Sequence, residues 1–216
     1  MIKIISVIIP AHNEESYIEM CLKSLRDQKR KPDEVIVVCD ACNDHTYLNA
    51  KKYTSKVHNV YYHNVSKTKN YGRKISKGNI KVYIDADCTM KKNMLEKIEL
   101  YCNKGYIGGT CMTKSIEPGF ADVVWDAGNF LNNFFLLARG IVFSHKIHPK
   151  FRENMNVAED TYFLHALQRK GRIKYISSTC IRTSSRRFRK EGYAKPIIKQ
   201  ILAYLTQKKI RYSAVR

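Results

Sequence analysis

The sequence has no long hydrophobic run. Its most apolar stretch, Phe130–Phe143, is interrupted by Asn132, Asn133, Arg139 and Gly140, whereas a helix that crosses a bilayer needs about 20 consecutive apolar residues. Low-complexity segments and internal repeats are also absent, so the 216 residues are expected to form one domain. We therefore expect a chain that is soluble or that lies on a membrane without crossing it.

The chain also has little in common with secreted proteins. Its seven cysteines are an odd number, and Met1 leads directly into the strand-like segment Ile2–Pro10 without a cleavage site. This combination is typical of a reducing compartment. We expect a cytoplasmic protein with free thiols that is stabilised by its core, because a chain of this length buries roughly 70% of its unfolded surface.

Acidic residues are scarce relative to basic ones. There are 19 Asp and Glu against 39 Lys and Arg, a formal net charge of +20. Residues 169–216 hold fifteen basic residues and one acid, Glu191, so their net charge is 15 − 1 = +14. This basic region is either a solvated face or a contact for the phosphates of a lipid, a nucleic acid or a nucleotide.

Short apolar, β-branched runs alternate with segments of helical periodicity. The runs predict strands near Ile4–Ile9, Val35–Val38, Val60–Tyr62, Ile80–Ile84, Tyr106–Met112 and Arg172–Ser177. After a first helix that ends before Pro32, further helices are predicted near Asp44–Tyr53, Lys67–Lys77, Lys91–Asn103, Asp122–Ala138, Glu159–Lys170 and Tyr193–Ile210. The alternation predicts an α/β fold with a mostly parallel central sheet and helices on both faces. Ligands of such sheets bind beyond the carboxyl ends of the strands, here after Ile9, Val38 and Ile84.

Two carboxylates, Asp85 and Asp87, follow directly after the strand that ends at Ile84. Like charges this close together are costly without a positive partner. A divalent cation fits, because Mg²⁺ and Mn²⁺ prefer oxygen ligands and often bridge to substrate phosphates. The alternative is an ordinary pair of turn or helix-cap aspartates.

The segment after Val38 holds two cysteines and an acid. Cys39 and Cys42 have the spacing of a redox dithiol, but no second pair completes a zinc site, so two small buried thiols are favoured. Asp40 lies at the expected ligand edge, where it either accepts hydrogen bonds from a base or ribose or caps a loop.

Charged residues late in the chain offer further candidates. Glu159 and Asp160 precede an amphipathic run, so they are either helix-start acids or, if the fold brings them to the sheet edge, a source of a general base. Arg186 and Arg187 belong to a cluster of four basic residues that contacts a diphosphate or phosphorylated acceptor, or forms an exposed basic turn.

Taken together and in order, these motifs resemble those of the family 2 glycosyltransferases. The resemblance spans about residues 4–180 and rests on five segments: Val7-Ile8-Ile9-Pro10-Ala11-His12-Asn13-Glu14-Glu15, Asp33 to Val38 with the following Asp40, Asp44 and Thr46, Lys69-Asn70-x-Gly72, Asp85-Ala86-Asp87, and Glu159-Asp160-Thr161. Such enzymes have the GT-A fold and transfer sugars from nucleotide donors with inversion at the anomeric carbon.

The resemblance implies a single GT-A catalytic domain over residues 1–190 and a role for each matching residue. Asp85 and Asp87 should hold Mn²⁺ or Mg²⁺, Asp160 should be the catalytic base, and Glu159 should contact phosphate or acceptor. The nucleotide sugar should be bound by Pro10, Ala11, Glu14, Asp40, Lys69, Asp85, Ala86 and Asp87.

The sequence departs from the family pattern in places. Cys39-Asp40-Ala41-Cys42 stands where Asp-Asp-Gly-Ser is usual, and Lys69 stands where the family usually has Arg. The Gln-x-x-Arg-Trp motif of processive synthases is absent, since Trp125 is the only tryptophan. We therefore expect transfer of a single sugar.

The C-terminal residues 191–216 combine an apolar stripe with basic flanks, which predicts a helix that packs on the domain or lies on an anionic membrane surface. The acceptor stays open, with a polyprenyl phosphate as one candidate. Two alternatives remain: a basic nucleic-acid-binding module, and a degenerate transferase that binds a nucleotide sugar without turnover. The motifs favour the enzyme, so no nucleic acid partner is expected.

Overall fold

The computed structural model describes residues 3–117, 119–131, 137–155 and 158–192, together with residues 195, 198 and 202. Within these residues the strands are β1 (Ile5–Ala11), β2 (Glu34–Asp40), β3 (Val57–Val60), β4 (Ile80–Ile84), β5 (Cys88–Met90), β6 (Gly108–Ser115), β7 (Ile141–His145) and β8 (Ile173–Thr183). The helices are α1 (Ile18–Arg26), α2 (Thr46–Lys51), α3 (Val65–Ile75), α4 (Met94–Asn103), α5 (Phe120–Leu131), α6 (Glu159–Gln168) and α7 (Arg186–Glu191).

The strands form one sheet in the order β3-β2-β1-β4-β7-β6-β8-β5. Strands β3, β2, β1 and β4 are mutually parallel, and β6 is parallel to β8. Strand β7 is antiparallel to both β4 and β6, and β5 is antiparallel to β8. The predicted α/β fold with a mostly parallel sheet is confirmed, and the carboxyl ends of β1, β2 and β4 lie at one edge.

Helices cover both faces of the sheet, as predicted. In β1, Ile5, Val7 and Ile9 pack in one core cluster with residues of α1 and α4, whereas Ile8 packs in a second cluster with residues of α6. Every residue of β1 is buried. The alternation of its side chains between two apolar layers explains why the strand is hydrophobic at every position except Ser6.

Several predicted element positions are wrong. The third strand is Val57–Val60 and not Val60–Tyr62, because Tyr61 and Tyr62 are exposed after the strand has ended. Strand β8 continues to Thr183, six residues beyond the predicted end. The basic segment from Arg186 forms a short helix, α7.

Strands β5 and β7 were not predicted at all. Strand β7 is buried throughout, but its last residues, Ser144 and His145, are polar. Its three apolar residues therefore look like the end of the apolar stretch Phe130–Phe143 and not like a separate strand. The helix predicted over Asp122–Ala138 is α5, which ends at Leu131, and residues 132–136 lie outside the described part of the chain. Of the predicted helix Tyr193–Ile210, only Lys195, Ile198 and Leu202 are described.

The cysteines are free, and all except the half-buried Cys42 are buried. Within the described part of the chain, no helix has the length and apolar character that a membrane crossing requires.

Gly72 allows α3 to pack closely on the central strand. A Cβ atom at this position would lie 2.4 Å from Ile8 Cγ2, and Ile8 is fully buried in β1. The glycine of the Lys69-Asn70-x-Gly72 motif therefore has a packing role, which sets the distance between α3 and the sheet.

We expect Gly72→Ala to lower the free energy of unfolding by about 1–3 kcal/mol, because overpacking shifts a buried side chain or the helix. Urea denaturation measures this loss. Lys74→Ala on the exposed side of α3 is the control, and its effect should stay within about 0.5 kcal/mol. Equal effects of the two substitutions would contradict the packing role.

Candidate functional site

The predicted site residues meet at the sheet edge formed by the carboxyl ends of β1, β2 and β4. Ala11 pairs with Cys39 in the parallel register of β1 and β2, so the loops that follow these strands are neighbours. Asp85 and Asp87 follow β4, the other parallel neighbour of β1. Helices α3 and α6 bring in Lys69 and Asp160 from more distant parts of the sequence.

Lys69 is the centre of this arrangement. Its side chain is 1% exposed, and its Nζ lies 2.7 Å from Asp160 Oδ1, 3.0 Å from Glu159 Oε1 and 3.6 Å from Asp85 Oδ1. Burial by itself lowers the pKa of a lysine, but the charges of Asp160, Glu159 and Asp85 outweigh it and raise the pKa of Lys69 well above its ordinary value. The ammonium group is therefore charged at neutral pH.

Asp160 is a buried acid at the start of α6. Burial raises its pKa above the ordinary aspartate value, the charge of Lys69 opposes this shift, and the charges of Glu159 and Asp85 add to it. The residue before α6, Ala158, has a φ of 61°, which lies in the left-handed region. This sharp turn brings Glu159 and Asp160 together into the first turn of α6, where both reach Lys69.

A second charged group lies around Glu14. Arg186 of α7 donates a hydrogen bond from Nη2 to Glu14 Oε1, and the same Nη2 lies 3.6 Å from Asp87 Oδ2. Glu14 Oε2 is buried without a hydrogen-bond partner. Burial raises the pKa of Glu14 to about 7 against the effect of Arg186, and burial followed by the charge of Asp85 raises the pKa of Asp87.

Asp40 has a structural role at the start of α3. Its Oδ1 accepts hydrogen bonds from the backbone N–H groups of Tyr62 and His63, and its Oδ2 accepts one from that of Asn64. Thr68 Oγ1 lies 2.9 Å from Oδ2. A carboxylate offers about four acceptor positions, and these four contacts fill them. This is the arrangement expected if Asp40 caps a loop. Contact between Asp40 and the nucleotide base stays a prediction.

Asn70 of the Lys69-Asn70-x-Gly72 motif fixes α3 to the chain before α6. Asn70 donates from Nδ2 to the carbonyl of Phe151 (3.0 Å) and to Glu153 Oε1 (3.0 Å), and its Oδ1 accepts from the N–H of Phe151 (2.9 Å). The ring of Phe151 stacks on Phe163 of α6, with centroids 4.3 Å apart. Asn70 thus helps to position the helix that carries Asp160.

Sequence reasoning missed Glu117, which holds α7 in place. Its carboxylate accepts hydrogen bonds from the backbone N–H (2.9 Å) and hydroxyl (3.0 Å) of Ser185, and from Arg189 Nη2 (3.0 Å). Glu117 lies just after β6, outside every motif that the sequence displays, so only its position in the fold identifies it.

A cleft of about 680 Å³ adjoins this edge. Arg186, which contacts Glu14 and Asp87, also lines the cleft. The remaining lining residues are Asn13, Glu15, Ser16, Tyr17, Asn43, Asp44, Arg189 and Lys190.

The donor atoms at the edge suit a hard divalent cation that is only partly held by the protein. Asp85 and Asp87 offer carboxylates that are 40% and 20% exposed. No cluster of three or more potential metal-binding side chains occurs among the described residues. Mg²⁺ commonly binds through one or two carboxylates, with waters and substrate phosphates completing its shell, so the residues present fit such an ion.

The family described as Glycosyl transferase family 2 matches residues 6–177 of the chain. The 4,4'-diaponeurosporenoate glycosyltransferase of Staphylococcus haemolyticus (strain JCSC1435) is 38% identical over 123 residues, which are 53% of this chain and 32% of that protein. The uncharacterized glycosyltransferase MG060 of Mycoplasma genitalium is 26% identical over 199 residues, 80% of this chain and 66% of that protein. The chain thus spans less than two thirds of the length of either relative.

Solved structures share the fold, among them S. aureus TarS and a synthase from Mycobacterium tuberculosis. S. aureus TarS 1–349 in complex with UDP-GlcNAc has a TM-score of 0.68 and 20% identity, covering 84% of this chain and 58% of that one. Glucosyl-3-phosphoglycerate synthase from Mycobacterium tuberculosis, in complex with Mn²⁺, UDP and glucosyl-3-phosphoglycerate, has a TM-score of 0.64 and 18% identity, covering 98% of this chain and 82% of that one. The fold of the chain is therefore GT-A.

We expect Lys69→Met to destabilise the protein by about 3–5 kcal/mol near pH 8, because it leaves buried carboxylates without their cation. The loss should be smaller near pH 5. Without the ammonium the pKa of Asp160 rises further, and a group whose pKa is raised on folding contributes stability at low pH that is lost as the pH rises through the folded-state pKa.

Urea denaturation at the two pH values measures this effect. Lys67→Met, which removes an exposed lysine two residues earlier in α3, is the control and should change stability by less than about 0.5 kcal/mol at either pH. A loss for Lys69→Met that does not depend on pH would contradict the electrostatic role of Lys69.

Proposed function

The chain belongs to glycosyl transferase family 2, and we propose that it transfers a single sugar, with inversion, from a nucleoside diphosphate sugar to an acceptor hydroxyl or phosphate. The observation that supports this most is the convergence of Lys69, Asp85 and Asp160 at the carboxyl edge of β1, β2 and β4. It brings a buried acid, a buried cation and the predicted metal-binding acids of a family 2 enzyme to one place.

The donor is proposed to bind across this edge. Pro10 and Ala11 end β1, and Glu14 follows in the next loop. Asp40 ends β2, and Lys69 lies in α3. Asp85, Ala86 and Asp87 complete the contacts beyond β4. The structures of TarS and of the Mycobacterium tuberculosis synthase contain UDP-GlcNAc and UDP, which supports a nucleotide sugar as donor. Nucleotide binding experiments identify which nucleobase the donor carries.

Asp85 and Asp87 are the proposed ligands of Mn²⁺ or Mg²⁺. Held by these two acids, the ion would supply Lewis-acid stabilisation of the charge that develops on the leaving diphosphate. The Mycobacterium tuberculosis synthase was crystallised with Mn²⁺ and with Mg²⁺. Arg186 and Arg187 at the start of α7 are proposed to contact the same phosphates, which planar guanidinium groups suit.

Asp160 is the proposed general base. It accepts the proton of the acceptor hydroxyl while that oxygen attacks the anomeric carbon from the side opposite to the diphosphate. The ion pair with Lys69 favours the ionised form of Asp160 and opposes the rise in its pKa that burial causes. A single displacement of this kind inverts the anomeric centre without a covalent sugar–enzyme intermediate.

The acceptor is proposed to be a lipid-linked phosphate or glycan at an anionic membrane surface. Residues 169–216 carry a net charge of 15 − 1 = +14, and each basic residue near an anionic surface contributes about 1 kcal/mol of attraction. Glu159, next to the base, is a further candidate for acceptor contact. The protein would then act at the cytoplasmic face of the membrane.

We expect millimolar UDP, GDP, CDP or dTDP to raise the melting temperature only for the base that the donor carries, and only with Mn²⁺ or Mg²⁺. A ligand at about 100 times its Kd stabilises by about 2.7 kcal/mol, or about 5–10 °C for a chain of this size. Differential scanning fluorimetry measures the shift, which Asp87→Ala should remove.

A Glu96→Ala variant, which removes an exposed acid of α4, should retain the nucleotide shift. If no nucleotide shifts the wild type and the protein instead binds DNA or RNA tightly with a steep salt dependence, the transferase proposal is wrong.

We expect Asp160→Asn to lower the rate of sugar transfer by about 10²–10⁴-fold, because it removes the general base, while nucleotide binding stays close to that of the wild type. Product formation from a radiolabelled donor and calorimetric titration of the nucleotide measure the two effects. Asp27→Asn, an exposed position at the end of α1, is the matched control. Parallel loss of binding and transfer in Asp160→Asn would contradict the division of roles between Asp160 and Asp87.

A further inference from the structure

Both acids of the predicted metal motif already face a cation from the chain itself. Asp85 Oδ1 lies 3.6 Å from Lys69 Nζ, and Asp87 Oδ2 lies 3.6 Å from Arg186 Nη2. The two cations differ in their surroundings, because the Lys69 side chain is 1% exposed and the Arg186 side chain is 22% exposed and lines the cleft. The Arg186 side chain can therefore move away from Asp87 with less rearrangement of the protein than Lys69 would need to move away from Asp85.

Arg186 is held toward the carboxylates by defined contacts. Its guanidinium carbon lies 4.9 Å from the centroid of the Tyr17 ring, and the Tyr17 hydroxyl is 3.1 Å from Ser184 Oγ. Glu117 fixes the adjacent Ser185 through its backbone N–H and its hydroxyl. The guanidinium therefore occupies a built position and is not a surface side chain that happens to lie near an acid.

The same carboxylates would be shared by the guanidinium and a divalent ion. Glu14 Oε1 accepts a hydrogen bond from Arg186, while Glu14 Oε2 is buried and has no hydrogen-bond partner. With Arg186 in place, Asp87 and Glu14 share one positive charge that does not come from a metal. A divalent ion at Asp87 would meet a second positive charge only a few ångströms away, so the two cations oppose each other unless Arg186 moves or an anion joins them.

We propose that Arg186 is a resident counter-cation of the metal site, which pairs with both Glu14 and Asp87 in the metal-free protein and is displaced from Asp87 when a divalent ion binds. The freed guanidinium then contacts the donor's diphosphate. This inference rests on the proposed function for the identity of the donor, but the competition itself involves only the protein and the ion. Arg186 therefore weakens binding of the metal alone and strengthens binding of the nucleotide.

The test compares Arg186→Gln with the wild type by titrating Mn²⁺ in the absence of nucleotide and following water-proton relaxation. We expect Arg186→Gln to bind Mn²⁺ roughly three- to fivefold more tightly, the size of a modest ion pair. In saturating Mn²⁺, calorimetric titration with the nucleoside diphosphate selected by the melting experiment should show the opposite sign, with weaker binding by Arg186→Gln.

Two further variants separate competition from general charge effects and from misfolding. Arg182→Gln removes an exposed basic residue of β8 that pairs with Thr89, two residues beyond Asp87, and should change Mn²⁺ affinity by less than Arg186→Gln does. Arg186→Lys keeps the charge and should bind Mn²⁺ with nearly wild-type affinity. Melting curves of each variant establish that it is folded.

Unchanged or weaker Mn²⁺ binding by Arg186→Gln would overturn the proposal, and so would equal tightening by Arg182→Gln and Arg186→Gln. Failure of both the wild type and Arg186→Gln to bind Mn²⁺ would overturn it as well. Sugar transfer by the wild type is measured separately. If Arg186 and Mn²⁺ do not compete, the proposed function still stands. If the wild type transfers no sugar, the Mn²⁺ titration still tests the competition.

Discussion

The ion pair between Lys69 and Asp160 is the interaction on which the arrangement of the site depends. It joins α3 to α6 over 91 residues of sequence, with 2.7 Å between Nζ and Oδ1. Neither charge is stable alone at this depth, because an unpaired buried charge costs several kcal/mol. The two helices must therefore approach the sheet together, and the carboxylate that is the proposed base is held next to Asp85 by the same cation.

Other polar contacts extend this constraint to the sheet. Asp40 at the end of β2 fixes the backbone that leads into α3, Gly72 allows α3 to contact Ile8 of β1, and Asn70 binds the loop that carries Phe151. The buried face of α3 is accordingly polar, with Ser66, Thr68, Lys69 and Asn70. A helix that buries so few apolar groups is stabilised by specific hydrogen bonds, which also determine where Lys69 lies.

The sequence was informative where the physical signal is local. Strand β4 has the predicted bounds Ile80–Ile84, because a short run that is apolar except for Lys81 can be recognised without knowing its partner strands. Strand β7 was missed, since its pairing with β4 and β6 depends on residues far away in sequence and its last two residues are polar. The family resemblance identifies Asp160 and Lys69 as site residues, but it does not indicate that they pair. The role of Glu117 could not be recognised from the sequence, because its partners come from residues 184–189.

The lysine at position 69 has a physical explanation in this geometry. An ammonium group directs three donors away from one nitrogen, whereas a guanidinium group presents its donors in one plane as a fork. Carboxylate oxygens from three different residues lie 2.7, 3.0 and 3.6 Å from Nζ, so all three acids share a single nitrogen. A compact cation meets all three at once. Arg186 faces a different arrangement, with one nitrogen hydrogen-bonded to Glu14 and 3.6 Å from Asp87 at the rim of a cleft, and its planar fork is suited to exchange these acids for phosphate oxygens. The two basic residues thus divide the edge between a fixed cation, which holds the proposed base, and an exchangeable one, which faces the proposed donor.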